Sequence, residues 1–135
     1  MLPRQQLLGQ WRECCAIAKN IAEKGTPNHV LVNRIMEEPL SIFLLYCSAV
    51  FIEMVFRGYK ADFEKLKDYF SENDWKDANI ILKDISLNIE YFIFRKWHND
   101  RYLRQCIANL QEKYDCGAIP ENEWKRITDE YPEWK

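Results

Sequence analysis

LSIFLLYCSAVFIEMVF, residues 40–56, is the segment around which the rest of this chain must be arranged. Its only polar side chains are those of Ser41, Ser48 and Glu53. A helix that is apolar on every side must be buried, either in a protein core or in a membrane. A membrane span needs about twenty apolar residues, and Glu53 lies four residues before Arg57, a spacing typical of an ion pair at an exposed helix end. We therefore predict a buried central helix and no membrane association.

Amphipathic segments on both sides of this helix would supply the surfaces that cover it. Apolar residues recur every three or four positions over about Arg4–Lys24, which predicts a helix that ends at Gly25 and Pro27. No strand pattern or internal repeat is present. We predict an all-α single domain, a compact bundle of six or seven helices around residues 40–56. Its further helices are predicted at about 29–38, 62–72, 74–97, 103–117 and 120–130.

The longest helical pattern, residues 74–97, is apolar on two opposite sides. An ordinary surface helix has one apolar side, so the second side must be covered by the same domain or by another chain. We predict that it binds a protein partner, which could be a second copy of the chain in a homodimer. The residues of this second side are Ile80, Leu87, Tyr91 and Phe94.

The C-terminal segment, at about 120–135, is predicted as a short helix or tail that combines acidic and aromatic side chains. Carboxylates can pair with a basic partner while aromatic rings fill its cleft. A capping helix whose rings pack on its own domain is the alternative. The candidate partner-binding residues are Glu121, Glu123, Trp124, Asp129, Glu130, Tyr131 and Trp134.

Residues 95–104 form a basic island, with a summed charge of +3, between segments 61–94 and 105–135 that sum to -4 and -3. Cations bind phosphates and aromatic faces stack on bases, so this island is an alternative nucleic-acid-binding surface. An acidic protein surface could use the same cations. The candidate residues are Arg95, Lys96, Trp97, His98, Arg101, Tyr102 and Arg104.

The chemistry-bearing residues form no recognisable catalytic set. The five cysteines have no metal-ligand spacing and indicate reduced thiols of a cytoplasmic protein, and the chain has only two histidines and no glycine-rich phosphate loop. We predict no metal and no cofactor. The preferred function is that of a protein-binding module of the inhibitor, immunity or adaptor type, acting on another protein with a basic surface. A helical nucleic-acid-binding or RNA-processing domain is the alternative.

Overall fold

The computed structural model describes residues 2–84 and 93–134, and Trp134 only by its backbone. Within these ranges the chain forms helices and no strand, which confirms the all-α prediction. The α-helices are α1 (Arg4–Lys24), α2 (Leu40–Phe56), α3 (Glu64–Lys67), α4 (Glu72–Asp84), α5 (Asp100–Asp115) and α6 (Glu121–Glu130), and the 3-10 helices are Val32–Glu37 and Pro132–Trp134.

The chain divides into two compact units. The α2 unit, Leu8–Arg95, contains α2, α3, α4 and most of α1. The α5 unit combines Met1–Leu7 with Lys96–Lys135 and contains α5 and α6. That the whole chain acts as one domain stays a prediction.

Local sequence signals set both ends of α2. Pro39 precedes the helix in an extended conformation, with φ -56° and ψ 143°. At the other end Gly58 adopts φ +75°, a conformation that costs glycine little because it has no Cβ. Its N–H donates to the carbonyl of Val55 at 2.9 Å, which ends the helix. The predicted bounds of α2 are therefore confirmed.

Helix α2 is the packing centre of the α2 unit. It packs against α4 and against the 3-10 helix Val32–Glu37. From α1, the ring of Trp11 lies 5.6 Å from that of Phe51. The ring of Phe43, which is almost fully buried, lies 6.0 Å from that of Phe70. Within this unit the prediction of a central apolar helix is confirmed.

The last turns of α2 correct the expectation of burial on every side. Ile52, Val55 and Phe56 are exposed, with Phe56 at 86%. The ion pair predicted at this end forms, with Arg57 Nε 2.6 Å from Glu53 Oε1. The packed neighbours of α2 thus cover its first part and one side of its end. No helix among the described residues has both the length and the apolar character that crossing a membrane requires.

The predicted long helix 74–97 is wrong in its last turns. Helix α4 covers Glu72–Asp84, the predicted part over 85–92 lies outside the described residues, and residues 93–97 form turns. Phe94 has φ +53°, a left-handed conformation that a regular helix excludes. Its side chain is 1% exposed, and its ring lies 6.0 Å from that of Tyr46 on α2. Burial of this ring is a tertiary effect that helical periodicity does not report.

The α5 unit has a small core of its own. Asn99 begins α5 as its N-cap, and Gly117 follows the helix with φ +75°. Helix α6 then packs back against α5. The core residues of this unit are Ile107, Leu110, Ile119, Trp124 and Ile127.

Candidate nucleic-acid interface

Three aromatic side chains of the basic island meet at the start of α5. The Oδ1 atom of Asn99 accepts a hydrogen bond from the Tyr102 N–H at 3.1 Å, which holds Tyr102 in the first turn. The rings of His98 and Tyr102 lie 5.2 Å apart and 20° from parallel. The Trp97 ring is edge-on to both, at 4.6 Å from His98 and 5.7 Å from Tyr102. We call Trp97, His98 and Tyr102 the ring cluster.

Exposed cations accompany the ring cluster in the α5 unit. Lys96, Arg101 and Arg104 are exposed, and none of them forms an ion pair within residues 2–84 and 93–134. Arg101 and Arg104 are three residues apart on α5 and therefore share one side of the helix. Asp100 is the single acid of residues 96–104. The arrangement can hold phosphates beside stacked rings.

Arg95, the remaining cation of the island, belongs to the α2 unit. Its side chain is exposed and has no ion pair in the described part of the chain. Cys106, one turn after Tyr102, is half-buried, and burial raises the pKa of its thiol although a hydrogen bond with Tyr102 opposes the shift. The thiol beside the ring cluster is therefore protonated at neutral pH and is a poor nucleophile.

A second charged surface lies on α1, in the α2 unit. The buried side of α1 carries Trp11 and Cys14, so Arg12 and Glu13 face solvent. On the same helix Glu23 pairs with Lys19 at 3.9 Å. The side chains of Arg12 and Glu13, by contrast, have no ion pair or hydrogen bond to any described residue. We call Arg12 and Glu13 the α1 pair.

A cleft of about 380 Å³ opens one helical turn beyond the α1 pair. Ala16 leaves room at this position because its side chain is a single methyl group. Burial, with the neighbouring Cys14 thiol, raises the pKa of the Cys15 thiol in this cleft, and Lys65 only partly opposes the shift. The cleft therefore offers cations and a ring but no thiolate. Its lining residues are Cys15, Ala16, Lys19, Lys65, Asp68 and Tyr69.

The predicted protein-binding tail is folded onto the α5 unit. The ring of Trp124 is buried and stacks on Tyr114 at 5.2 Å. The Tyr114 hydroxyl donates a hydrogen bond to the Glu121 carboxylate, and this hydrogen bond is the main cause of the raised pKa of Tyr114. The Arg4 N–H donates to Glu123 at 2.8 Å. These side chains stabilise their own unit and do not form a free tail.

The other predicted partner residues differ in how far they are exposed. Tyr131 is half-buried against the α5-unit core, whereas Asp129 and Glu130 are exposed. Ile80 is 57% exposed on α4. Phe94 is buried in its own chain and is not a surface residue, because its ring packs in the α2 unit. Leu87, Tyr91 and the side chain of Trp134 lie outside the described residues.

The thiols and carboxylates of residues 2–84 and 93–134 do not assemble into a metal-binding group. No cluster of three or more histidine, cysteine or acidic side chains that could hold a metal ion occurs within the described ranges. All five cysteines are free thiols, with Cys14 and Cys47 buried and Cys116 exposed. Burial raises the pKa of Cys47 well above its ordinary range, and a hydrogen bond with Cys14 adds to the shift.

Comparison with known protein families finds a match in the N-terminal part of the chain. Residues 1–67, which contain α1, α2 and α3, match the model of a family described as pyrimidine dimer DNA glycosylase. No curated protein and no solved structure matches the chain. The match overturns the prediction of a protein-binding module of the inhibitor, immunity or adaptor type, which is wrong. It favours the alternative, a nucleic-acid-directed helical protein.

The α1 pair belongs to none of the histidine, cysteine or glycine motifs that usually indicate a catalytic site. A carboxylate next to an arginine on the solvent side of a predicted helix is nevertheless visible in the sequence. Its significance depends on the absence of a pairing side chain within reach, which periodicity alone does not reveal. The basic island, which lies outside the matched segment, was found from its charge.

Proposed function

We propose that this protein binds damaged DNA and cleaves the bond between a damaged pyrimidine base and its deoxyribose. The observation that carries the proposal is the family match over residues 1–67, which includes all of α1 with its solvent-facing pair. The local charge agrees, because residues 1–30 sum to +2 in a chain whose net charge is -2. A local positive charge is what a polyanion requires, whatever the sign of the total.

The α1 pair has the chemistry that this reaction needs. Positive charge builds on the sugar as the bond to the base breaks, and a nearby carboxylate stabilises it. Of the six glutamates in the matched segment, Glu23, Glu37, Glu53 and Glu64 are each paired with a lysine or arginine, and Glu38 follows a 3-10 helix. Glu13 has no such partner among the described residues and lies on a long, regular helix. We assign Glu13 the role of stabilising the sugar and Arg12 that of binding a neighbouring phosphate.

The cleft beyond the α1 pair supports the same proposal. Enzymes that act on a base in a duplex extrude a nucleotide into a pocket, where it stacks on an aromatic or apolar side chain. The volume of about 380 Å³ falls within the range of small-molecule sites. Tyr69 would contact the base and Lys65 a phosphate. The free thiols agree with action in a reducing, cytoplasmic compartment.

The test is base release in ultraviolet-irradiated duplex DNA, with unirradiated duplex of the same sequence as reference. Base release here means hydrolysis of the bond between base and sugar, in which water adds to the sugar; a base of a pyrimidine dimer then stays attached to the neighbouring pyrimidine. We expect product only from irradiated DNA, measured as alkali-sensitive strand breaks. Glu13→Gln should lower the rate at least about 100-fold, the usual contribution of a positioned carboxyl group, while DNA affinity is kept. Glu23→Gln, on the same helix, is the matched control and should change the rate less than twofold. Absence of both product and preference for irradiated DNA would overturn the proposal.

A further inference from the structure

We infer that the ring cluster and the cations of residues 96–104 form a second nucleic-acid contact, one that binds unpaired nucleotides. This site goes beyond the proposed function, because it lies outside the matched segment and involves no bond cleavage. It belongs entirely to the α5 unit. Its ligand is a single strand, or the unstacked part of a distorted duplex, held by base stacking and phosphate contacts.

The geometry of the rings points to an unpaired base. Tyr102 is 40% exposed, so part of its ring remains available to a ligand. His98 lies against it at 5.2 Å and nearly parallel, and Trp97 packs edge-on against both. A ring held by two others loses little conformational freedom when a base stacks on it. Bases in an intact duplex already stack on each other, so only an unpaired or displaced base can use this surface.

The cations give the site its selectivity for a polyanion. Lys96, Arg101 and Arg104 are exposed without an ion pair in the described part of the chain, and Asp100 is the single opposing charge in the segment. Residues 96–104 therefore carry a summed charge of +2. An acidic protein would satisfy these charges too, but the nearly parallel rings of His98 and Tyr102 present a flat face that suits a base. Rings and unpaired cations together favour nucleic acid.

The N-cap of α5 links these two features. Because Asn99 accepts from the Tyr102 N–H, Tyr102 is held in the first turn of the helix that also carries Arg101 and Arg104. Successive nucleotides of an extended strand could thus place a base on the ring and phosphates near the arginines. The contact is sequence-tolerant, since every base has a face that can stack.

Fluorescence anisotropy with the full chain and an undamaged oligothymidine of about twelve nucleotides tests the site. Tyr102→Ala should weaken binding by about 5- to 150-fold, the range measured for loss of one stacking ring. Tyr102→Phe keeps the ring and should stay within about threefold of the parent. A plot of the logarithm of the binding constant against the logarithm of the salt concentration should be less steep for the double variant Arg101→Ala with Arg104→Ala. Its slope should be smaller in magnitude by about 1.4, because each lost phosphate contact to a single strand removes about 0.7.

Controls separate this site from folding effects and from the proposed function. Lys113→Ala, an exposed change near the end of α5, should alter neither affinity nor salt dependence. Circular dichroism checks that each variant is folded. If Tyr102→Ala does not fold, the double variant at the exposed Arg101 and Arg104 still tests the site. Glu13→Gln should bind the oligonucleotide as the parent does. Because this DNA is undamaged, the result stands even if no base is released from irradiated duplex.

Three outcomes would overturn the inference. The first is that Tyr102→Ala, when folded, binds the oligonucleotide within twofold of the parent. The second is that the fully paired duplex binds as tightly as the single strand and is equally sensitive to Tyr102→Ala. The third is that polyglutamate of similar length competes as well as the oligonucleotide, since charge alone would then account for binding.

Discussion

Helices α1 and α5 both present arginines to solvent, yet their surroundings differ in kind. On α1 the exposed Arg12 adjoins Glu13, a carboxylate with no partner among the described residues, and a cleft opens one turn further on. On α5 the exposed Arg101 adjoins Tyr102, which belongs to the ring cluster. A carboxylate can stabilise the positive charge of a reacting sugar, whereas aromatic faces offer a base a surface on which to stack. The difference agrees with the proposed roles of α1 in base release and of α5 in binding.

The supports of the two helices also differ. Helix α1 is held by aromatic side chains of the α2 unit, through the contacts of Trp11 with Phe51 and with Phe63 at 6.5 Å. Helix α5 is held by Ile107 and Leu110 in the smaller core of the α5 unit. Each charged surface thus depends on a separate core. Changes to one support should therefore affect the two surfaces unequally.

The largest expected effect is that of removing the main support of α1. Trp11→Ala should lower the free energy of unfolding by about 3–5 kcal/mol, because it deletes a buried ring and leaves a cavity. The matched control is Phe56→Ala. Because Phe56 is exposed, its replacement should lower the free energy of unfolding by less than about 0.5 kcal/mol. Urea denaturation followed by circular dichroism measures both. Equal costs would contradict the burial of Trp11 and the exposure of Phe56 in the folded protein.

Alkaline pH should affect the α2 unit next most strongly. Burial raises the folded-state pKa of Cys47, so the folded protein keeps this proton when the unfolded chain releases it. The stabilisation from this proton is therefore fully present below the ordinary thiol pKa of about 8.5. Above that pH the free energy of unfolding falls, by up to about 1.4 kcal/mol per pH unit for one thiol. Urea denaturation at several pH values between about 7.5 and about 9.5 measures the slope.

Two cysteine variants sharpen this pH prediction. Cys47→Ala should flatten the alkaline slope, whatever it costs in absolute stability. Cys116→Ala removes an exposed thiol of the α5 unit and should leave the slope unchanged. If the slope persists in Cys47→Ala, buried thiols other than Cys47, or other groups, are its source.

The smallest effect concerns the N-cap of α5. Asn99→Ala should cost about 1 kcal/mol, because the Tyr102 N–H loses its acceptor. It should also loosen the ring cluster and weaken oligonucleotide binding, while base release that depends on Glu13 is kept. Asn109→Ala, an exposed change within α5, is the control and should cost nothing. Loss of base release in Asn99→Ala would contradict the division of roles between α1 and α5.

The candidate surfaces were predictable to different degrees. The basic island was found from charge alone, because four cations within ten residues stand out in an acidic context. The ring cluster required the turn at Asn99, which brings His98 and Tyr102 together. The tail was misread as a partner-binding segment, since composition cannot tell an anchor for another protein from a ring such as Trp124 that packs on Tyr114.

By itself the sequence determined the all-α class and the bounds of α1 and α2. Helical periodicity and the stop signals at Gly25 and Gly58 act over a few residues, so they can be read without a structure. Tertiary structure decided which apolar side chains are covered, as the buried Phe94 and the exposed Phe56 illustrate. It also decided that Glu13 has no partner within the described chain. Burial and pairing depend on neighbours that are distant in sequence, and a local pattern carries no information about them.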